Sequence, residues 1–288
     1  MILCLSVCLF SVFSPVNNIV YANEPVSLIN SDMEHRVESY ITDVYSQINF
    51  GQNEPLDKTV FHNAMIGYLN LRNAGKLNTS KSLLTICDFT KSSNDYRFWI
   101  IDLNQKKVLF HTYVAHGQGS GDEFARAFSN RQDSHQSSLG FYVTGDTYDG
   151  EHGLSLRLHG MDNGFNSAAY DRGIVVHGAD YVNSNFIAGN QRLGRSWGCP
   201  AVPAGLSTAI INTIKEGTCL FVYYPQKNYL KSAYWLNRKV DRLPDDSNPF
   251  QILTAQVDPE AECKPAVPAK PQIVVIRDTN TDHRLYIQ

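Results

Sequence analysis

A cysteine that follows a glycine is the feature of this sequence with the clearest chemical potential. Cys199 comes directly after Gly198, and glycine lets the backbone turn tightly enough for consecutive N–H groups to converge on one point. Such N–H groups stabilise the negative oxygen that forms when a nucleophile attacks a carbonyl. A free thiol has a pKa of about 8.5, so at neutral pH it needs a base or a positive environment. These residues predict acyl transfer through a thiol.

His177 is the candidate base for this thiol. It ends the apolar run 173–176 and is followed by Gly178, which predicts an imidazole exposed at the end of a core strand. An isolated histidine at such a place is often only hydrogen-bonded to backbone, but here one segment of chain joins it to Cys199. A helix predicted from Pro203 adds a positive dipole end, which favours the thiolate.

Other catalytic patterns match the sequence less well. Residues 194–198 also fit G-x-S-x-G, the nucleophile elbow of α/β-hydrolases, but that elbow needs a core strand before it and an acid and a histidine after it. Papain-like enzymes place cysteine before histidine, the reverse of the order here. Sortases share the order, yet they use an arginine on the following strand, and residues 219–224 contain none. The S-x-x-K motif of penicillin-binding enzymes does not occur.

The composition indicates a globular protein. The net charge is −3 without a basic run, which argues against nucleic acid as a partner. The sequence has no C-x-x-C pair. Three histidines are candidate zinc ligands, namely His152, His159 and His177, but no two of them form an H-x-H or H-x-x-x-H pair.

The N-terminal residues predict export from the cell. Residues 2–13 form an apolar run of signal-peptide length, and Val20 and Ala22 fit the −3 and −1 positions of a cleavage site, so residues 1–22 are predicted to be removed. The run is shorter than the roughly 20 residues of a membrane span, so a single anchor is the weaker alternative. We expect a secreted or periplasmic protein. One disulfide among three cysteines is compatible with a free Cys199: Cys87, Cys219 and Cys263.

Two amphipathic helices are predicted ahead of a β-rich region. The first covers residues 31–50, with Ser31 and Glu34 as a capping box, and the second covers residues 57–74. From residue 82 onward, short β-branched and aromatic runs predict strands: Leu83–Phe89, Arg97–Leu103, Lys107–Val114, Gly140–Thr144, Leu154–Leu158, Gly173–His177 and Cys219–Tyr224.

The expected fold is mainly β: an antiparallel sandwich or barrel-like catalytic domain with one inserted helix, preceded by a helical element. The inserted helix covers Pro203–Lys215, and its inward residues are predicted to be Leu206, Ile210 and Ile214. The predicted organisation after the signal peptide is a helical element at 23–81, a catalytic domain at 82–225 and a C-terminal extension at 226–288. Within that extension the pattern suggests a helix at 228–241 and a strand at 272–277.

Together, these motifs resemble the signature of the L,D-transpeptidase catalytic domain (YkuD-like). In that family a His-Gly at the end of a strand is followed by Ser-x-Gly-Cys, which His177-Gly178 and residues 196–199 match. Residues 138–141, Ser-Leu-Gly-Phe, are similar to the upstream Pro-x-Gly-x-Phe segment. The resemblance covers about residues 83–224. Further segments resemble the murein L,D-transpeptidase branch: 114–117, 155–160 and 198–201.

The resemblance implies a reaction on peptidoglycan. His177 takes the proton of Cys199, which attacks the carbonyl of the third residue of a stem tetrapeptide and expels the terminal D-Ala. An amine from a second stem or a lipoprotein then resolves the thioester in a transpeptidation, or water does so in a carboxypeptidation. No cofactor is implied. Backbone N–H groups of Gly198 and Cys199, with that of Trp197 as a further candidate, hold the oxyanion, Ser196 supports the loop, and Gly178 turns the strand end. The implied catalytic positions are Cys199, His177, Gly198, Ser196, Trp197 and Gly178.

Two departures from the family pattern affect substrate recognition. Trp197 stands where most relatives have histidine, and Pro200-Ala201 stand where arginine or asparagine is usual. Other residues are therefore the candidates for contact with the substrate: His159, Arg157, Arg195 and Tyr142. The same departures motivate the alternative of a catalytically silent envelope protein that binds peptidoglycan.

Overall fold

The computed structural model describes residues 26–244, and the side chains from residue 32 onward. The predicted signal peptide, Cys263 and the predicted strand at 272–277 lie outside the described residues. No helix within residues 26–244 is long and apolar enough to cross a membrane.

Two helices precede the sheet, as the sequence predicts. Helix α1 is Val26–Gln47 and helix α2 is Lys58–Asn73. Asp57 caps α2, because its carboxylate accepts the N–H groups of Thr59 and Val60. The predicted capping box of α1 is wrong, since the helix already begins at Val26 and runs through that segment.

The rest of the described chain contains eight strands, four further α-helices and the short 3-10 helix Gln118–Ser120, joined by loops. The strands are β1 Leu83–Asp88, β2 Phe98–Asp102, β3 Lys107–Thr112, β4 Gly140–Gly150, β5 Gly153–Gly160, β6 Val175–Ala179, β7 Ala201–Pro203 and β8 Cys219–Tyr223. The helices are α3 Ser184–Asn190, α4 Ala204–Ile214, α5 Lys227–Ser232 and α6 Tyr234–Asn237.

The strands form one sheet in the order β3-β2-β1-β8-β4-β5-β6-β7. The mainly-β class is confirmed, but the sheet is mixed rather than antiparallel, because β1 pairs with β8 and β6 pairs with β7 in parallel. Beyond β3 the chain turns to the opposite edge of the sheet. There Ala115 bridges to Ala201 and Gly117 bridges to Ser196, so the sheet nearly closes on itself.

The centre of the sheet is a packed core. Every residue of β1 and β8 is buried. Helix α2 packs against these two strands, and α4 packs against β5, β6 and β7. Helix α4 buries Ile210, Ile211 and Ile214, whereas Leu206, predicted to face inward, is 38% exposed.

The residues that follow the sheet belong to the same compact unit, which extends to Pro244. Helices α5 and α6 lie within the predicted extension from residue 226, and α6 packs against α2. Asn70 of α2 donates hydrogen bonds to the carbonyl oxygens of Trp235 and Arg238, at 2.9 and 2.8 Å. These bonds attach the start of the predicted extension to helix α2.

Candidate active site

Cys199 lies at the end of the nucleophile loop, defined as residues 194–200, which joins α3 to β7. Gly198 has φ +125°, a region that other residues rarely adopt, and a Cβ there would lie 2.8 Å from the carbonyl oxygen of Gln136. Ser196 braces the loop. Its Oγ donates to the carbonyl oxygen of Cys199 at 2.6 Å and accepts the N–H of Gly198 at 3.1 Å.

The thiol of Cys199 is free and partly exposed. Its Sγ lies 3.5 Å from the N–H of Val175 and 3.7 Å from the carbonyl oxygen of Gly173. Protein encloses the sulfur on most sides, and this burial raises the pKa of the thiol, although the Val175 N–H and the Arg172 guanidinium act in the opposite direction. Cys199 is therefore a protonated thiol at neutral pH, and a base must remove the proton.

His177 is a buried side chain in the middle of β6, not at the strand end that the sequence predicted, because β6 continues to Ala179. Its Nδ1 lies 2.9 Å from the carbonyl oxygen of Gly178. Since a carbonyl can only accept, Nδ1 carries the hydrogen and Nε2 is the basic nitrogen. Burial lowers the pKa of His177, which keeps the imidazole neutral at neutral pH.

The sheet register relates the ring to the sulfur. His177 pairs with Ala201 across β6 and β7, two residues after Cys199, and the Cys199 sulfur contacts the N–H of Val175, two residues before His177 on β6. Residues two apart on a strand lie on the same face, roughly 7 Å apart, so the imidazole and the sulfur belong to the same neighbourhood of the sheet. No hydrogen bond joins His177 to Cys199 in the described structure, where the sulfur contacts Gly173 and Val175 instead. Catalytic hydrogen bonds of this kind often tighten only in the complex with substrate.

Gly178 has a different role from the predicted turn. It lies inside β6, where a Cβ would be 2.7 Å from the Ser207 Oγ and 3.2 Å from the Ala204 Cα. Both of these residues belong to the first turns of α4. Glycine is required at this position because α4 approaches β6 closely. The N-terminus of α4 therefore lies against Gly178, the residue directly after His177.

The oxyanion donors also differ from the prediction in one respect. The N–H of Gly198 is bonded to Ser196, so it is not free to hold an oxyanion in this conformation. The N–H groups of Trp197 and Cys199 donate to no other residue in the described part of the chain. The side chain of Trp197 is 72% exposed, and its ring stacks on His135 at 5.0 Å.

Arg172 is a site residue that the sequence analysis missed. Its guanidinium packs behind the nucleophile loop, where a Cβ on Gly198 would lie 3.3 Å from Nη2. It donates hydrogen bonds to four acceptors in the loop at residues 129–138, which precedes β4: the Ser129 and Gln136 carbonyl oxygens and the Ser134 and Ser138 hydroxyls. Its charge opposes the effect of burial on the pKa of Cys199. Arg172 thus supplies a positive charge near Cys199, although the positions directly after the cysteine carry none. In the sequence, the only indication of this role is that Arg172 lies just before β6.

His152 is the second residue with an unexpected place. In the sequence, His152 is a candidate only for metal binding. In the structure it lies in the turn between β4 and β5, and its ring stacks on that of His177 with 4.6 Å between the ring centres. Its charge also lowers the pKa of His177. Residues 26–244 contain no cluster of His, Cys, Asp or Glu side chains that is arranged to hold a metal ion.

The four candidates for substrate contact divide into two pairs. Arg157 and His159 lie on β5, where Arg157 pairs with Val175 of β6 and so faces the same side as Val175 and His177. Arg195 is instead engaged in structure, since Nη1 bonds to Asp122 at 2.8 Å and to the Gly121 carbonyl oxygen at 2.9 Å.

Tyr142 is a correction, because its side chain is buried in the core. It is 1% exposed, and its hydroxyl donates to the carbonyl oxygen of Ser138 at 2.9 Å. A substrate cannot reach this ring without disrupting the sheet.

Comparison with known proteins decides the family. A family model described as the L,D-transpeptidase catalytic domain matches residues 52–223, more than half of the chain. The chain belongs to the L,D-transpeptidase catalytic-domain family. The match begins well before residue 83, where the sequence resemblance was expected to start, and so includes α2. The family is one of enzymes of the L,D-transpeptidase type.

Solved L,D-transpeptidases are distant from this chain. One from Mycobacterium smegmatis is 12% identical with a TM-score of 0.31, and the match covers 50% of this chain and 59% of that chain. One from Enterococcus faecium is 11% identical with a TM-score of 0.32, and the match covers 50% of each chain. The matches thus span less than two thirds of those proteins. No curated protein matches the sequence.

Proposed function

We propose that this L,D-transpeptidase-family enzyme transfers acyl groups from peptidoglycan tetrapeptide stems through a thioester on Cys199. The observation that carries the proposal is the contact between the free thiol and β6. The Cys199 sulfur, on a loop braced by Ser196, contacts the N–H of Val175, two residues before His177, and the Gly178 carbonyl oxygen sets the tautomer of His177. The family supplies the substrate class.

The protonation states favour general-base catalysis over a preformed ion pair. Burial raises the pKa of the Cys199 thiol and lowers the pKa of His177, so both groups are neutral before the reaction. The proton passes from Sγ to Nε2 while the sulfur attacks the carbonyl carbon of the third stem residue. The bond to the terminal D-Ala then breaks, and the imidazolium returns the proton to the leaving amine.

The surroundings of the sulfur suit the developing charge. The N–H groups of Trp197 and Cys199 are the proposed oxyanion donors, because neither bonds to another residue in the described chain, whereas that of Gly198 is already used by Ser196. Arg172 adds a fixed positive charge behind the loop. The acceptor in the second half-reaction is an amine, from another stem or a lipoprotein, or water, and His177 takes its proton as the thioester is resolved.

The proposed location follows from the substrate. Peptidoglycan stems lie outside the cytoplasmic membrane, and the apolar run at residues 2–13 fits a signal peptide. We therefore propose that the enzyme works in the cell envelope as a secreted or periplasmic protein.

The test is product analysis by mass spectrometry after incubation of the purified full-length chain with disaccharide tetrapeptide, beside Cys199→Ala. Loss of one D-Ala indicates hydrolysis, and a dimer that lacks one D-Ala indicates cross-linking. The variant is expected to give neither product. Equal product from both proteins would contradict the proposal. No product from either protein would favour the alternative, a peptidoglycan-binding protein without turnover.

A further inference from the structure

Arg157 is a cation on the same face of the sheet as His177, and its guanidinium donates to no acceptor among the described residues. Its guanidinium lies 4.5 Å from the ring centre of Tyr148 and 5.5 Å from that of Tyr170. None of the ion pairs or hydrogen bonds in the described part of the chain involves this guanidinium. Two aromatic rings therefore hold the charge in place while its donors stay open.

The arginine and the side chains around it come from three parts of the chain. Tyr148 lies on β4, Arg157 and His159 lie on β5, and Tyr170 lies between β5 and β6. His159 stacks on Tyr170 at 5.0 Å with an angle of 11°, which supports that ring from a second side chain. We name Arg157, Tyr148 and Tyr170 the arginine clamp.

The clamp lies beside the thiol. Arg157 pairs with Val175 across β5 and β6, and the N–H of Val175 contacts the Cys199 sulfur at 3.5 Å. Two strand spacings separate the backbones of Arg157 and Cys199, which is on the order of 10 Å. A substrate whose carbonyl reaches the sulfur therefore passes within reach of the guanidinium.

The other arginines near the nucleophile loop are already engaged. Arg172 donates to four acceptors, and Arg195 bonds to Asp122 and to backbone oxygens. Arg157 differs from both, since its planar fork of donors is oriented but not bonded. Such a fork matches the two oxygens of a carboxylate.

We propose that the arginine clamp binds a carboxylate of the substrate and so selects the stem peptide. This inference rests on the proposed function for the identity of the substrate. A stem tetrapeptide offers a carboxylate on the terminal D-Ala, another on the second residue, and a third on the side chain of the third residue when this is diaminopimelate. The shared chemistry is a carboxylate near the scissile bond, and the experiment distinguishes the three sources.

The test measures binding without turnover. Full-length Cys199→Ala is titrated calorimetrically with the free tetrapeptide and with three analogues, each amidated at one carboxylate. One amidation is expected to weaken binding roughly ten- to hundredfold, because a charge-assisted hydrogen-bond pair is lost. Adding Arg157→Gln is expected to weaken binding of the free peptide by a similar factor and to abolish the discrimination between peptides.

Two further variants guard against a trivial loss of fold. Arg126→Gln is the matched control, since Arg126 also lies over an aromatic ring, that of Phe124, at 5.8 Å, but outside the clamp. It should bind all peptides as the parent does. Tyr170→Leu removes one ring while keeping the charge and should weaken binding of the free peptide several-fold.

The outcomes separate this inference from the proposed function. If no amidation weakens binding, or if Arg157→Gln keeps the same discrimination, the clamp does not bind a carboxylate. If the wild-type chain turns over no tetrapeptide, the proposed function fails, while the binding titrations still decide the role of the clamp.

Discussion

Cysteines occur at the centre of the sheet and beside its β7 edge, and the two environments differ in how exposed the thiol is and in how far its burial is offset. Cys87 of β1 and Cys219 of β8 are fully buried free thiols, and burial raises the pKa of each far above its ordinary range. Cys199 at the edge is partly exposed, and the N–H of Val175 and the charge of Arg172 counteract the burial. The surroundings, and not the residue type, decide which thiol can react.

The same contrast extends beyond the thiols. The central strands β1 and β8 bury every side chain and serve the core. Around Cys199 the chain keeps polar groups that donate to no other residue in the described structure: the N–H groups of Trp197 and Cys199, and the guanidinium of Arg157 on β5. Donors next to a free thiol can serve a carbonyl substrate, whereas a polar atom without a partner in the core, such as the buried Thr85 hydroxyl of β1, is inaccessible to one.

Removal of the edge thiol should have the largest effect. Cys199→Ala is expected to lower turnover of the tetrapeptide by about 10⁴-fold or more, because the covalent intermediate cannot form. Cys219→Ala, which removes a thiol at the centre of the sheet, is the control. It should keep turnover near the wild-type value and lower the free energy of unfolding by about 1 kcal/mol. Comparable loss of turnover in both variants would contradict the claim that the surroundings of Cys199, and not those of Cys219, support the reaction.

His177→Gln should have the next largest effect. Glutamine is polar but cannot accept the thiol proton as imidazole does, so kcat should fall by about 10²–10⁴-fold. Steady-state kinetics with the tetrapeptide measure the change, and calorimetric titration checks that the peptide still binds. Unchanged kcat would show that another group activates Cys199.

Gly198→Ala tests the geometry of the nucleophile loop. A Cβ at φ +125° and 2.8 Å from the Gln136 oxygen should introduce roughly 1–3 kcal/mol of strain and displace the thiol. We expect a drop in kcat/KM of at least about tenfold together with a lower melting temperature.

Gly205→Ala is the matched control for that substitution. Gly205 lies in α4, where a Cβ would meet no atom within 4 Å, so alanine should stabilise the helix by up to about 1 kcal/mol and leave kcat unchanged. Full activity in Gly198→Ala would show that the tight turn is not needed.

His152→Ala should have the smallest effect, a shift in the pH profile. Burial under the stacked ring and the charge of His152 both lower the pKa of His177, so removing the ring should raise it. The acid limb of kcat/KM, which reports deprotonation of His177, should therefore move to higher pH by less than about one unit.

His152→Phe separates the two causes of that shift. Phenylalanine keeps a ring over His177 but carries no charge, so the acid limb should move less than in the alanine variant. A shift to lower pH in His152→Ala would contradict the role assigned to the stack.

Local sequence predicted the strands well because their apolar runs are short and clearly bounded. Strand β4 extends to Gly150, beyond the predicted Thr144, because its outer half is held only by pairing with β5 in a polar hairpin that leaves no apolar run. The predicted capping box in α1 failed because the helix starts earlier.

The site was predictable only in part. The motif indicated His177 and Cys199, and in the fold the Cys199 sulfur contacts the N–H of Val175, two residues before His177 on β6. Arg172 was missed because its acceptors come from the loop at residues 129–138, far away in the sequence. Arg157 was singled out without its partners, since Tyr148 and Tyr170 reach it only through the fold. Contacts between distant segments leave no local pattern.

The most direct test of the central claim is to trap the acyl-enzyme. The wild-type chain is mixed with disaccharide tetrapeptide, quenched in acid after a short time, and analysed by intact mass and peptide mapping. The account predicts that the mass of the substrate without its D-Ala is added to Cys199 alone, and that the adduct is nearly absent in His177→Gln. An adduct on another residue, or one that forms equally fast without His177, would contradict it.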